Sequence, residues 1–266
     1  MTRTRTTENF PVGSWLLAPA HRPAVHAFYA FAREADDIAD DPARDAAGKL
    51  AALDAYEAAL LDGEGPASAV ALRAVFDDRD LSLDHPRHLL QAFKADASGR
   101  NCRTWSDLLA YCRYSAAPVG RFLLDLHGEA KELWLGSDAL CAALQILNHL
   151  QDAHSDWLEL RRRYIPGDWL DRAGLTEREL LAPRMSSELR AIYDRALDRV
   201  DQLNAQARAL PPAIRDWRLR MEAAGILALS ERLARRLRRQ DPLAARVALT
   251  RMDKLGAVWR AIRAGL

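Results

Sequence analysis

Almost every segment of this chain carries an apolar period near 3.6 residues, and almost none alternates with a period of two. Such a chain must bury its apolar stripes by packing helix on helix. Helical period runs through residues 16–39, 46–61, 87–97, 105–126, 138–160, 187–209, 218–238 and 242–262, and more weakly through 176–182. Ala, Leu, Arg and Glu, all good helix formers, dominate these segments. Turn chemistry separates them at Asp62-Gly63-Glu64-Gly65-Pro66, Asp84-His85-Pro86, Ser98-Gly99-Arg100-Asn101, Ile165-Pro166-Gly167-Asp168 and Leu210-Pro211-Pro212. No linker is long or polar enough to mark a domain boundary, and no repeat is visible. The chain is expected to form one all-α domain over residues 1–266.

Against that apolar background, acidic residues stand out. Asp36-Asp37-Ile38-Ala39-Asp40 and Asn148-x-x-x-Asp152-x-x-x-Asp156 each sit inside a helical segment. Carboxylates four apart share one helix face, and like charges side by side oppose helix formation. Placing them near a core costs more still, so a cation is expected to offset them. Arg33, Asp36, Asp37 and Asp40 fall at i, i+3, i+4 and i+7. A solvated charged face is the plain alternative, but a merely soluble face would favour Glu over Asp, a poorer helix former. Arg33 offers either a fork for phosphate oxygens or an intrahelical ion pair with Asp36 or Asp37. Gln145, Asn148, Asp152 and Asp156 stand at i, i+3, i+7 and i+11, one narrow stripe at about 100° per residue. Leu144, Ile146, Leu147 and Leu150 surround them. An all-oxygen set of this kind suits Mg²⁺ carrying substrate phosphates better than a polar packing seam, which would use amides and hydroxyls.

Two such stripes facing one another would clamp a diphosphate. Ionising an allylic diphosphate leaves a carbocation, so the remaining walls must be apolar and dry. Aromatic faces stabilise such a cation, and Phe28, Tyr29, Tyr111, Tyr114 and Phe122 lie on suitable segments, although each taken singly also reads as core.

The motifs resemble those of the squalene and phytoene synthases, head-to-head prenyl transferases, over residues 9–261. The resemblance is carried by residues 28–40, by Tyr111-Cys112-Arg113-Tyr114 running to Val119-Gly120, by Gln145 to Asp156, and by Arg163-Tyr164-Ile165-Pro166. Within the family, Glu8-Asn9-Phe10-Pro11-Val12, residues 111–121 and Leu147-Asn148-His149-Leu150-Gln151-Asp152 resemble the hydroxysqualene-forming branch of bacterial hopanoid pathways. The resemblance implies an isoprenoid synthase helical bundle around a central cavity. Asp36 and Asp40 correspond to its first aspartate motif, and Asp152 and Asp156 to its second, as ligands of roughly two or three Mg²⁺ ions bridged by substrate. Asn148 joins that metal set and Gln145 lines it, Arg33 and Tyr164 match diphosphate contacts, and Tyr111 is the implied general acid or base. Phe28 and Tyr114 are expected on the substrate wall.

Three departures bear on substrate. Thr7-Glu8-Asn9 replaces the family's Ser-x-Ser, and Gln151 replaces an Arg before Asp152. Both positions would hold diphosphate oxygens, so the changes favour a substrate with one diphosphate. Ser115-Ala116-Ala117-Pro118-Val119-Gly120 replaces a Val-Ala-Gly opening, and Pro118 is expected to kink its helix. The implied reaction is Mg²⁺-dependent loss of diphosphate from presqualene diphosphate, cation rearrangement and capture by water to give hydroxysqualene. No Gly-rich dinucleotide loop is present, and no NADPH is expected. A full condensing enzyme joining two farnesyl diphosphates is the alternative within the family. A non-catalytic metal-binding scaffold is the alternative outside it, and a di-iron bundle lacks its paired Glu-x-x-His elements. His149 and His154 are expected to point off the acidic stripe, into packing or solvent.

Composition narrows the setting. Lys plus Arg is 38 and Asp plus Glu is 37, so no global field draws the chain to nucleic acid. Cys102, Cys112 and Cys141 lack metal or redox spacing and fit a reduced, cytoplasmic compartment. No signal-peptide core is visible, and no apolar run reaches the roughly 18 residues that span a bilayer. The Arg232-Leu233-Ala234-Arg235-Arg236-Leu237-Arg238-Arg239 stretch, following Leu219, Ile226 and Leu227, is a candidate for peripheral contact with the inner face of a membrane. An ordinary solvated helix face is its plainer reading. Other hopanoid-pathway enzymes are candidate partners.

Overall fold

The structure, a computed structural model, describes residues 17–265. Among them the chain runs through α1 (Arg22–Asp40), α2 (Ala46–Asp62), α3 (Ala67–Asp78), α4 (Asp84–Ala97), α5 (Trp105–Ser115) and α6 (Ala117–Leu126). It continues through α7 (Trp134–Leu160), α8 (Gly167–Arg172), α9 (Ser187–Ala207), α10 (Leu210–Ala213), α11 (Trp217–Arg239) and α12 (Arg251–Gly265). Short 3-10 turns cover Lys131–Leu133 and Glu177–Leu181. The described residues form no strand, and no helix among them is long and apolar enough to cross a membrane.

Side-chain caps fix where several helices begin. Asp45 accepts from the Gly48 N–H at 2.8 Å, Asp216 from Leu219 N–H at 2.8 Å, and Ser186 from Leu189 N–H at 3.2 Å. Thr104 and Asp107 close a reciprocal capping box at the start of α5. Each cap satisfies a backbone donor that the helix cannot, which is worth about 1 kcal/mol.

Two large apolar clusters fill the interior. Helices α1 to α4 bury Phe31, Leu53, Leu60, Leu72, Phe76 and Leu90, joined from α6 by Phe122 and Leu126. Helices α5, α7, α8, α9 and α11 bury the second, around Ile146, Leu147, Tyr193, Leu197 and Leu233. Helix α6 crosses α7 closely at Gly120, where a Cβ would run into the Ser137 hydroxyl and stand 2.7 Å from the Cys141 sulfur. Only glycine permits that approach.

The sequence reading holds for the long helices, but it starts α1 too early, since residues 17–21 are not helical, misses the short α8 and α10, and fails at three further places. Residues 67–78, assigned no element above, form α3, with Ala69, Leu72 and Phe76 buried at helical spacing. The expected helix over 105–126 is two helices that break at Ala116 (φ −127°, ψ −45°). Pro118 has no N–H to donate and its ring crowds the carbonyl of Tyr114, so the break falls two residues before it. Residues 242–250 are not helical despite their Ala and Leu. Asp241 bonds the N–H groups of Leu243, Ala244 and Ala245 in a local turn, and the buried Gln151 amide donates to the Val247 carbonyl. Helix α12 then starts late at Thr250, whose hydroxyl accepts from Asp253 N–H at 3.3 Å while Asp253 accepts from Thr250 N–H at 2.9 Å.

One buried carboxyl in α11 makes a stability prediction. Glu222 is buried and one of its oxygens has no partner. Burial alone pushes its pKa up to about 7. A folded-state value above the unfolded one means that the stability linked to this group is full below about pH 4.5 and is lost as pH rises through 7. Glu222→Gln should therefore raise the urea midpoint at pH 8.5 relative to the wild type, with the gap closing toward pH 4.5. An equal gap at both ends would refute this.

Candidate active site

The C-terminal ends of α1, α4 and α7 meet at one end of the bundle, at the seam between the two apolar clusters. They bring Asp40, Asp96 and Asp156 together, and each helix end adds its own partial negative charge. One residue, Arg162, sits among them. Its guanidinium donates to the Asp40 carboxylate and, at 2.9 Å, to the Ala39 carbonyl. Its own N–H donates to the Asp156 carbonyl at 3.1 Å. The two aspartate-bearing helices thus end on a single arginine. Burial opposes its charge, but Asp96 and Asp40 outweigh that and hold it still further above the ordinary guanidinium range.

Beside Arg162 lies a buried polar network. The Tyr111 hydroxyl donates to Asp96 at 2.8 Å, and the Tyr164 hydroxyl donates to the other Asp96 oxygen at 3.1 Å. The two hydroxyls are 3.4 Å apart. His149 stacks on the Tyr164 ring at 3.5 Å between centroids, reaches the Gln145 amide at 3.2 Å, and places Nδ1 3.8 Å from the Asp156 carboxylate. Burial raises the Asp96 pKa, with Arg162 and the two tyrosine hydrogen bonds pulling the other way. Burial and the neighbouring Asp96 push both tyrosine hydroxyls well above their ordinary range. Both therefore keep their protons at neutral pH.

The loop carrying Arg162 and Tyr164 is pinned from below. Arg163 donates to the Cys102 carbonyl at 2.6 Å, the Ile165 carbonyl at 2.7 Å and Glu177 at 3.0 Å. Its N–H donates to the Asn101 side chain at 2.6 Å, and Cys102 N–H donates back to the Arg163 carbonyl at 3.2 Å. Gly167 is required there, since a Cβ would stand 2.7 Å from the Arg163 guanidinium.

Of the residues singled out in the sequence, Asp40, Tyr111, Gln145, Asp156 and Tyr164 are brought into this cluster. Asn148 and Asp152 lie half-buried on the same stripe of α7. Asp36 is one turn back on α1, and Arg33 takes the intrahelical role, 3.0 Å from Asp37 and 3.9 Å from Asp36. Phe28 is not in the cluster. It stacks at 4.3 Å on Phe122, which stacks at 5.4 Å on Phe76, inside the first apolar core. Tyr114 is not there either; it is exposed, edge-on to His88 at 5.4 Å. Gln151 is buried on the opposite side of α7, facing Val247, so its side chain does not lie where an arginine would meet the acids. Thr7, Glu8 and Asn9 lie outside the described residues.

Three members of the cluster were missed. Asp96 reads in sequence as an isolated acid near a helix end, and Arg162 as one of three consecutive arginines. His149 is packed, as expected, yet its ring lies on the acidic stripe. The readable signal was spacing: Ala142, His149 and Asp156 repeat every seven residues, as do Asp138, Gln145 and Asp152. A cleft of about 330 Å³ follows the same face of α7 toward its N-terminus, with Leu109, Ala139 and Leu203 on its apolar wall and Arg113, Arg121, Asp138 and Gln206 on its polar one.

The donors at this end are carboxylate and amide oxygens, which fit Mg²⁺. Among the described residues no three metal-binding side chains converge on one point.

An all-α bundle with aspartates at facing helix ends is the arrangement of an isoprenoid synthase. The model of the squalene/phytoene synthase family matches residues 3–253, and this chain belongs to that family. Hydroxysqualene synthase of Rhodopseudomonas palustris is 44% identical over 93% of this chain and 85% of its own length. The crystal structure of squalene synthase HpnC from Alicyclobacillus acidocaldarius superposes with a TM-score of 0.78 at 34% identity, covering 89% of this chain and 90% of that one. A dehydrosqualene synthase crystallised with a ligand shares the fold, with a TM-score of 0.82 at 22% identity over 97% of this chain and 92% of that one.

Proposed function

We propose that this chain converts presqualene diphosphate to hydroxysqualene. The observation that carries the reading is the meeting of α1 and α7 on Arg162, which puts both aspartate motifs at one end of an apolar bundle. The 44% identity to a hydroxysqualene synthase supports the product. Asp36, Asp40, Asn148, Asp152 and Asp156 are the residues that would hold Mg²⁺, whose chemistry there is to neutralise the diphosphate as it leaves.

The chain's own groups account for the rest. Arg162 presents a guanidinium fork between the motifs, and Arg33 a second one turn from Asp37. Tyr164 and Tyr111 hold protonated hydroxyls beside the acids, oriented by donation to Asp96, and either one reaches a leaving-group oxygen by exchanging that bond for a new one. Diphosphate departs with its electron pair. The cyclopropylcarbinyl cation rearranges against the apolar face of α7, a water oxygen adds to it, and one proton of that water is released. The substrate's hydrocarbon lies along the Ala139–Ala142 side of the cleft, against its apolar wall. Because substrate and product are greasy, the enzyme works as a peripheral protein at a membrane surface.

Purified protein given presqualene diphosphate and Mg²⁺ without any nicotinamide should yield hydroxysqualene, identified by mass. Unchanged substrate would end this reading. Farnesyl diphosphate supplied alone should stay unreacted, and its conversion would favour the full condensing enzyme.

A further inference from the structure

Helix α12 turns an apolar stripe outward. Met252, Leu255, Val258, Trp259 and Ile262 are between 41% and 73% exposed. They recur at helical spacing on one arc, while Asp253, Ala257 and Ala261 on the opposite arc are buried. Gly225 of α11 leaves room for Ala261, and Arg232 and Arg236 bond Asp253 at 3.4 and 2.6 Å, so the helix is fixed in this orientation. Lys254 flanks the stripe on one side and Arg263 on the other, Arg251 stands at its N-terminal end, and Arg260 is paired with Glu231 of α11 at 2.7 Å. No exposed residue of α12 is acidic, because its one acid, Asp253, is buried under the arginines.

We propose that α12 is the surface by which this protein docks on an anionic lipid bilayer, a step that rests on the membrane reading above. A stripe of Trp, Leu and Ile bordered by Arg251, Lys254 and Arg263, with no acid on the exposed face of α12 itself, matches the headgroup region in both polarity and charge. Pairing of two copies through the same face would set bases against bases. Most of α12 also lies past residue 253, where the match to the family model ends. In the Arg-rich run of α11, Arg235 and Arg239 are exposed, and the other three arginines are held by acids of the protein itself. Arg232 and Arg236 are engaged by Asp253, and Arg238 by Asp198 at 2.8 Å and Asp201 at 2.6 Å.

Co-sedimentation with phosphatidylcholine vesicles, with and without phosphatidylglycerol, tests the assignment. The wild type should pellet with the anionic vesicles and be released by high salt. Leu255→Ser/Trp259→Ser should reduce the bound fraction by about tenfold, and Arg251→Glu/Lys254→Glu should do so only where phosphatidylglycerol is present. Turnover of detergent-dispersed presqualene diphosphate by both variants serves as the folding control. Wild type that stays in the supernatant overturns the membrane reading as well. Variants that pellet as the wild type does overturn the assignment to α12 alone. Concentration-dependent dimers that disappear in the serine variant, without vesicle binding, would make a second copy the occupant.

Discussion

Asp156→Asn should lower turnover of presqualene diphosphate by roughly 10³-fold while leaving the fold intact. The side chain closes the second acidic stripe at the end of α7, beside His149 and above the arginine that reaches Asp40. Asparagine keeps its shape and one acceptor oxygen but removes one negative charge from a site whose task is to collect cations around a departing diphosphate. The loss belongs to kcat more than to KM, since the charge matters most when the leaving group gathers its electrons. Asp37→Asn is the matched control. That residue is exposed and paired only along its own helix with Arg33, so turnover should stay within about threefold of wild type. Stopped-assay product mass for both variants, with thermal midpoints alongside, makes the comparison. Near-normal turnover by Asp156→Asn would remove the second stripe from the mechanism.

The second large effect falls on stability. Asp96→Ala should cost about 3–5 kcal/mol, because it strands two buried tyrosine hydroxyls and takes a counter-charge from Arg162. Asp96→Asn should cost less, as the amide keeps one acceptor. The pH dependence has a definite sign. Burial raises the carboxyl's pKa, so below the ordinary carboxylate range it is neutral whether folded or unfolded. As pH rises toward the raised folded value, the wild type loses stability that the asparagine variant does not. The deficit of Asp96→Asn should therefore narrow from pH 4 to pH 7 in urea unfolding. A deficit that widens over that range would show that Asp96 is stabilised as a carboxylate rather than penalised for burial.

The same residues mark how far sequence carries. Helical period was legible almost throughout, because apolar spacing is a local property that each segment displays on its own. The acidic stripes were equally legible, since Asp at i and i+4 inside an apolar helix conflicts with both propensity and burial. The convergence of Gln145 and Asp156 followed from the geometry of one helix. Phe28 and Tyr114 carried no such information, because an aromatic on an amphipathic helix looks the same whether it meets a ring stack, a cavity or solvent. The helix at Ala67–Asp78 was hidden by its short length and the Gly-Pro turn before it.

Sequence by itself determined that this chain is an all-α bundle carrying two sets of carboxylates that call for a cation. Only the tertiary structure decided which cation of the protein stands between them and what surrounds it. Arg162 and Asp96 are separated by 66 positions in the chain and acquire meaning when three helix ends are packed together. Residues 242–250 show the same limit from the other side: good helix formers form a turn and a loop there, and the Val247 carbonyl is bonded by Gln151, on a distant helix. Propensity acts within a few residues, whereas charge pairing and hydrogen bonding across a packed seam act between segments whose neighbourhood no local pattern records.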